Sequence, residues 1–299
     1  MRKHLFPLLF VIVAAAIWWA SFSSTVRNPY VDDNNPLVVV SGYVPYTLTK
    51  QLAGDSVNLL MLLPPGAEPH SFEPTPGALV SLKHANAFIY TSQELEPWVT
   101  DLMKGVGQAT TTLELASTLP AAVQDPHIWM NIANAKQLAA AIEKILVQIN
   151  PGQQLLYTEN LNKFNQEMDT LDKAFKEGLS NCQSREVVHV GHLAFKNLMD
   201  AYGLTLTALS GTCHEGEHSA KKLAHLIEQI KGKQLPAIFT EETLSSRLAN
   251  TVAKETGTQI FPLYPIEHIS KQDFNQHVTY GELMRRNLDN LRKGLVCQA

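Results

Sequence analysis

Apolar runs and helical apolar spacing alternate along most of this chain. The segment "PLVVVSGYVPYTLTKQLAG" opens on an unbroken β-branched run and continues as an amphipathic stretch closed by Gly54, so it predicts a strand and then a helix. "DSVNLLMLLPPG" predicts a second strand that ends in a proline-rich loop. "TPGALVSLKHANAFIYTSQELEPWVTDLMKGVG" predicts a short helix, a strand at Ala87 to Thr91 and another helix. Such alternation is the pattern of a parallel sheet with helical crossovers.

The pattern then changes. "QQLLYTENLNKFNQEMDTLDKAFKE" has no Gly or Pro until Gly178 just beyond it, and Leu155, Leu161, Phe164, Met168, Leu171 and Phe175 mostly follow steps of three and four. A helix from Gln153 to Glu177 would be roughly 40 Å long, enough to run the height of a domain. After it the alternation restarts, with strands in "REVVHVGH", "LTLTALSG", "LPAIFTEE" and "TQIFPLYPIE", intervening helices, and a last helix in "TYGELMRRNLDNLRKGL". The predicted fold class is α/β, with two βα lobes of mainly parallel sheet joined by a long helix. The expected boundaries are 1–35 for an export segment and flexible mature N-terminus, 36–150 for the first lobe, 151–180 for the linking helix and 181–299 for the second lobe.

The first residues stand apart. "MRKHLFPLLFVIVAAAIWWASFSS" has a basic start, an apolar run from Leu5 to Trp19 and then small residues, the layout of a secretory signal peptide, with an uncleaved membrane anchor as the second choice. Either one implies an exported, periplasmic or otherwise extracytoplasmic protein. The chain has 299 residues and a formal net charge of -4, with no basic stripe, so it does not read as a nucleic-acid binder. Three cysteines, Cys182, Cys213 and Cys297, allow one disulfide at most. Cys182 precedes a strand and Cys297 ends the last helix, which puts both at the sheet end away from any ligand, whereas Cys213 follows a strand. Cys182–Cys297 is therefore the expected pair.

Ligands bind parallel sheets outside the carboxyl ends of the strands. His70 follows the second strand, on a backbone stiffened by the prolines of "PPGAEPHSFEPTP". His127 lies in "DPHIWMN", a loop before a helix, and His192 follows "VVHVG". Cys213, His214, Glu215, Glu217 and His218 follow "LTALSG", Glu241 and Glu242 follow "AIFT", and Tyr264, Glu267 and His268 follow "QIFPL". These groups converge only if the two lobes face each other. Three imidazoles from two lobes suit Zn²⁺, which takes His nitrogen readily in tetrahedral geometry. No CxxC pair is present, and a surface or half-buried histidine is the ordinary alternative at each position. His84, His189, His225 and His277 are read that way, His189 as a packed mid-strand residue.

Taken together, "GAEPHSFEPTPGAL", "DPHIWMN", "GHLAFKNLMDAYGL", "SAKKLAHLIEQIKGKQLPAIFTEETLSSRLANTVAKETG" and "TYGELMRRNLDNLRKGL" resemble the zinc/manganese substrate-binding proteins of ABC transporters, the cluster A-I family. The motifs occur in the family's order and cover nearly the whole chain after the export segment. The resemblance implies one metal in the cleft between two lobes and delivery of that metal to a membrane permease by a monomer, without catalysis. Carried over by position, it assigns His70, His127 and His192 as metal ligands. His at the third position resembles zinc-importing members, where manganese importers carry Glu, so Zn²⁺ is expected as the transported ion and Mn²⁺ is the second choice.

The chain departs from the family pattern in "LYPI", where Tyr264 stands in place of the usual Asp ligand, and a phenol with a pKa near 10 is a poor ligand at neutral pH. The fourth ligand is then water, Glu267, His268 or an acid from another loop. His218 replaces a usual Pro, and with His214 it forms a candidate accessory zinc-capturing loop. Two alternatives stay open: a manganese- or iron-binding member of the same family, and a zinc hydrolase with a His₃–water site. For the hydrolase, no residue has a clear assignment as general base, with Glu73, Glu241 and Glu242 as the candidates.

Overall fold

The computed structural model of the protein describes residues 34–104, 110–120, 125–211, 220–241 and 246–298. Two four-stranded sheets, each wholly parallel, carry the architecture. The first holds β1 (Leu37–Val40), β2 (Asn58–Met61), β3 (Ala87–Tyr90) and β4 (Thr111–Glu114) in the order β2-β1-β3-β4. The second holds β5 (Glu186–His189), β6 (Thr205–Ala208), β7 (Ala237–Glu241) and β8 (Gln259–Leu263) in the matching order β6-β5-β7-β8. In both, the strand order reverses between the two central strands, which is where a parallel sheet opens a crevice at its carboxyl edge.

The central strands are covered on both faces. Val38, Val39, Val40, Phe88 and Ile89 are all fully buried, so β1 and β3 appear in the sequence as continuous apolar runs without alternation. β4 was not expected. Its sequence "TTLE" has one apolar residue, and it lies half-exposed at the sheet edge, where burial imposes little pattern.

The long helix spans Gln154–Gly178, entered through a 3-10 turn at Pro151–Gln153. Its buried face is Tyr157, Phe164, Met168, Leu171 and Phe175. Leu155, expected on that stripe, is 88% exposed, and Tyr157 takes its place because it lies seven residues, two full turns, before Phe164. The helix ties to both lobes. Asn160 Nδ2 donates to the Leu52 carbonyl at 2.9 Å on one side, and Arg285 donates to Glu167 Oε1 at 3.0 and 2.8 Å on the other. The largest apolar cluster among the described residues runs from Val38 in the first sheet through Met168 to Phe239 and Leu291 in the second lobe, and a smaller one lies in each lobe.

Cys182 and Cys297 are joined in a disulfide that closes a sequence separation of 115. It fastens the end of the final helix, Tyr280–Gly294, to the segment entering β5. Cys213, His214, Glu215, Glu217, His218 and Glu242 lie outside the described residues, as does the expected export segment up to residue 33. Among the described residues no helix is long and apolar enough to cross a membrane.

Candidate metal site

His70, His127, His192 and Glu267 come together between the lobes, each offering a ligand atom within 4.8 Å of the others. They arrive from four different strand ends. His70 follows β2, His127 follows β4, His192 follows β5 and Glu267 follows β8.

The proline loop is fixed from below. Trp98 Nε1 donates to the carbonyl of Pro69 at 3.0 Å, and the Trp98 ring packs edge-on against Phe72 at 5.1 Å. His70 thus stands on a backbone held by φ restriction and by a buried hydrogen bond.

His127 and His192 are oriented by the same device. The His127 backbone N–H and Nδ1 both donate to Asp125 Oδ1, at 2.9 and 2.8 Å. The His192 backbone N–H and Nδ1 both donate to Glu241 Oε1, at 3.2 and 2.7 Å. With Nδ1 engaged by a carboxylate, Nε2 is the nitrogen turned to the centre, the arrangement typical of metal-ligating histidine. Gly191 makes room for it, because a Cβ there would sit 2.5 Å from Glu241 Oε1 and from His189 Cε1. His189 is the last residue of β5, not a mid-strand residue, and it is fully buried, with Nδ1 donating to the His192 carbonyl at 3.0 Å and its ring against Phe195. It serves as packing, as a core histidine should.

The Glu267 carboxylate closes the group. Oε2 lies 3.1 Å from His127 Nε2 and 3.8 Å from His70 Nε2, Oε1 lies 3.2 Å from His192 Nε2, and the two inner Nε2 atoms are 3.2 Å apart. Ligand atoms 2.0–2.1 Å from a tetrahedral ion lie about 3.3–3.4 Å from one another. The His127–His192 distance and the distances from these two rings to the nearer Glu267 oxygen are close to that figure, and the His70 distance to Oε2 is longer. Tyr264 is not part of the cluster. Its backbone N–H and carbonyl are paired with the Asn287 side chain, and Arg286 lies over its ring. The chain turns after it, at Ile266 with φ of 67°, and that left-handed residue aims Glu267 inward. The carboxylate therefore comes three residues later than the family pattern puts it.

The electrostatics are those of a cation site. Burial pushes the Glu267 carboxyl up, but hydrogen bonds from His127, His192 and His268 outweigh it and hold the group well below the usual carboxylate range. Burial pulls His192 down, and the Glu241 and Glu267 carboxylates override that, leaving it pushed up to about 10. His127 is raised against the same burial effect by Asp125 and Glu267. Without a metal, protonated imidazoles balance the charge of the buried carboxylates.

Sequence reasoning named the three histidines and kept Glu267 as one of several fourth positions. It missed the orienting role of Glu241, which lies 49 residues from its partner. Asp125 was legible in principle, since an Asp two residues before His127 can accept from the histidine's own backbone N–H. Glu73, weighed as a base for the hydrolase reading, is exposed, and Glu241 is committed to His192.

The profile of a family described as zinc-uptake complex component A, periplasmic, matches residues 38–294. The zinc-binding lipoprotein AdcA of Streptococcus pneumoniae is 30% identical over 294 aligned residues, covering 92% of this chain and 58% of that protein, so the chain spans little more than half the length of that relative. The high-affinity zinc uptake system protein ZnuA of Bacillus subtilis is 28% identical over 313 aligned residues, covering 97% of this chain and 98% of that protein. The crystal structure of the Zn(II)-bound ZnuA-like domain of S. pneumoniae AdcA superposes with a TM-score of 0.78 at 31% identity, over 87% of this chain and 99% of that domain. With the paired parallel sheets, the long helix and a match over most of its length, the chain belongs to the periplasmic zinc-uptake complex component A family.

Proposed function

We propose that the protein captures Zn²⁺ outside the cytoplasm and hands it to an ABC permease for import, with His70, His127, His192 and Glu267 as the ligands. The observation that carries this reading is the convergence of three imidazoles and one carboxylate from both lobes, with a ligand atom of each within 4.8 Å of the others. Three nitrogens to one oxygen favour Zn²⁺ over Mn²⁺, which prefers an oxygen-rich site. In this reading residues 36–150 and 181–299 act as the two lobes and 151–180 as the link. Residues 1–35 act as an export segment, removed or kept as an anchor, and the protein works as a monomer.

The protein is not an enzyme in this reading. Glu267 takes the fourth position, where a catalytic zinc would keep a water. The test is metal analysis with chelator competition on the wild type and on His70→Ala, His127→Ala and His192→Ala, each expected to weaken zinc by at least about tenfold, or 1.4 kcal/mol. Mn²⁺ competing at concentrations comparable to Zn²⁺, or turnover of ester, peptide or phosphate substrates by the zinc-loaded protein, would overturn it.

A further inference from the structure

The metal cluster has a neighbour. Glu68, Glu267 and His268 form a second group whose ligand atoms all lie within 4.8 Å of one another, and it shares only Glu267 with the first. The two groups sit at different depths. The His127 and His192 side chains are fully buried and that of His70 is 5% exposed, whereas the His268 side chain is 7% exposed and Glu68 is half-buried, so the second group lies on the His70 side of the first. Glu267 faces both. Its Oε1 lies 3.2 Å from His192 Nε2 and 3.5 Å from His268 Nδ1. Glu68 belongs to the same proline loop as His70 and accepts from the His70 backbone N–H through Oε1 at 3.2 Å.

The two groups also differ in chemistry. The deeper one offers three imidazoles and one carboxylate. The outer one offers two carboxylates and one imidazole, more negative charge but fewer of the nitrogen donors that Zn²⁺ favours. An ion there would be drawn in strongly and held less tightly. The two cannot fill together at low cost, because both need Glu267 and the outer carboxylates would have to neutralise two dications a few ångströms apart.

We propose that Glu68, His268 and Glu267 form a second, transient zinc position at the mouth of the site, and that the ion enters and leaves the deep position through it. The proposal rests on the zinc-binding reading above. Glu267 keeps hold of the ion while its other partners are exchanged, His268 and Glu68 for the three deep imidazoles. The ion is thus never stripped to a bare state between solvent and the deep position. A binding protein that must give up a tightly held ion needs such an intermediate for release as much as for capture.

The test uses the full protein and zinc itself. Zinc association is followed by stopped flow, and release by mixing the loaded protein with enough chelator that the rate no longer depends on chelator concentration. The variants are His268→Asn, which keeps a donor to the Glu267 carboxylate in place of Nδ1, and Glu68→Gln, which keeps an oxygen to accept from the His70 N–H. A waypoint lowers one barrier crossed in both directions, so association and release should slow together, by about fivefold or more, with Kd within about twofold of wild type. Unchanged rates in both variants would overturn the proposal. A weaker Kd with unchanged association would overturn it as well, since His268 would then belong to the deep position. Failure of the wild type to bind zinc would instead remove the functional reading itself, and melting curves of the zinc-free variants identify any that fail to fold.

Discussion

At the scale of single residues, the proposed zinc centre depends on groups outside the ligand set. Glu241 fixes the His192 ring through Nδ1 and also holds its backbone N–H. Glu241→Gln keeps the size and can still accept, but it loses the charge that raises ligand basicity. Zinc affinity should fall about 10–100-fold, read by chelator competition. The pH dependence follows from the same contacts. Imidazole must be neutral to ligate, and an isolated histidine would clear its proton above about 6.5. Here His127 and His192 are held above that value, His192 up to about 10, so protons compete with zinc through neutrality and beyond. Zinc affinity should therefore keep rising between pH 6.5 and about 10 instead of levelling off near 7. The zinc-free protein should show the opposite trend. A raised imidazole contributes stability that is fully present below the unfolded value near 6.5 and is lost as pH rises through the folded value, so the zinc-free Tm should decline across that window. A flat affinity profile above pH 7 would show that the carboxylates do not hold the imidazoles protonated.

At the scale of elements, loops carry the proposed ligands, and helices and the disulfide hold the loops' supports. The Cys182–Cys297 bond lies at the end of β5's approach and of the final helix, away from the ligand end of the sheet. Its replacement by serines should lower stability by about 2–5 kcal/mol in denaturant titration. Zinc Kd should stay unchanged, because no ligand rides on that end. A change in Kd would mean that the final helix transmits strain to Glu267. The connection was legible from topology, since strand direction places both cysteines at the same end. β4 was not, because an edge strand of two threonines, a leucine and a glutamate leaves no apolar run to read.

At the scale of the whole molecule, the two sheets share one core with the long helix, and the lobes are also joined by direct contacts. Trp129 Nε1 donates to the Pro265 carbonyl at 2.7 Å, Tyr280 Oη to the Trp129 carbonyl at 2.8 Å, and Asn197 Nδ2 to the His127 carbonyl at 3.0 Å. Wide hinge closure needs a few residues free to absorb φ/ψ changes, and a helix braced on both lobes offers none. Zinc loading should leave the radius of gyration from solution scattering essentially unchanged. A large contraction would show that the lobes close like a hinged clamp.

The sequence by itself determined the alternation of strands and helices, the long helix between two lobes, the placing of His70 and His192 at strand ends and that of His127 in a loop before a helix. These are properties of local periodicity and chain direction. Burial forces apolar runs into central strands, and parallel strands send their following loops to one edge. Only the tertiary structure brought Glu267 to the three histidines and gave two of them their orienting partners. Tyr264 is where the motif sets a carboxylate, and nothing in "LYPIEH" shows that a left-handed turn at Ile266 carries Glu267 inward in its stead. Glu241 reaches His192 because β5 and β7 are neighbours in the sheet, a pairing between residues 49 positions apart. Which carboxylate meets which imidazole is a matter of distance in space, and chain order alone does not contain it.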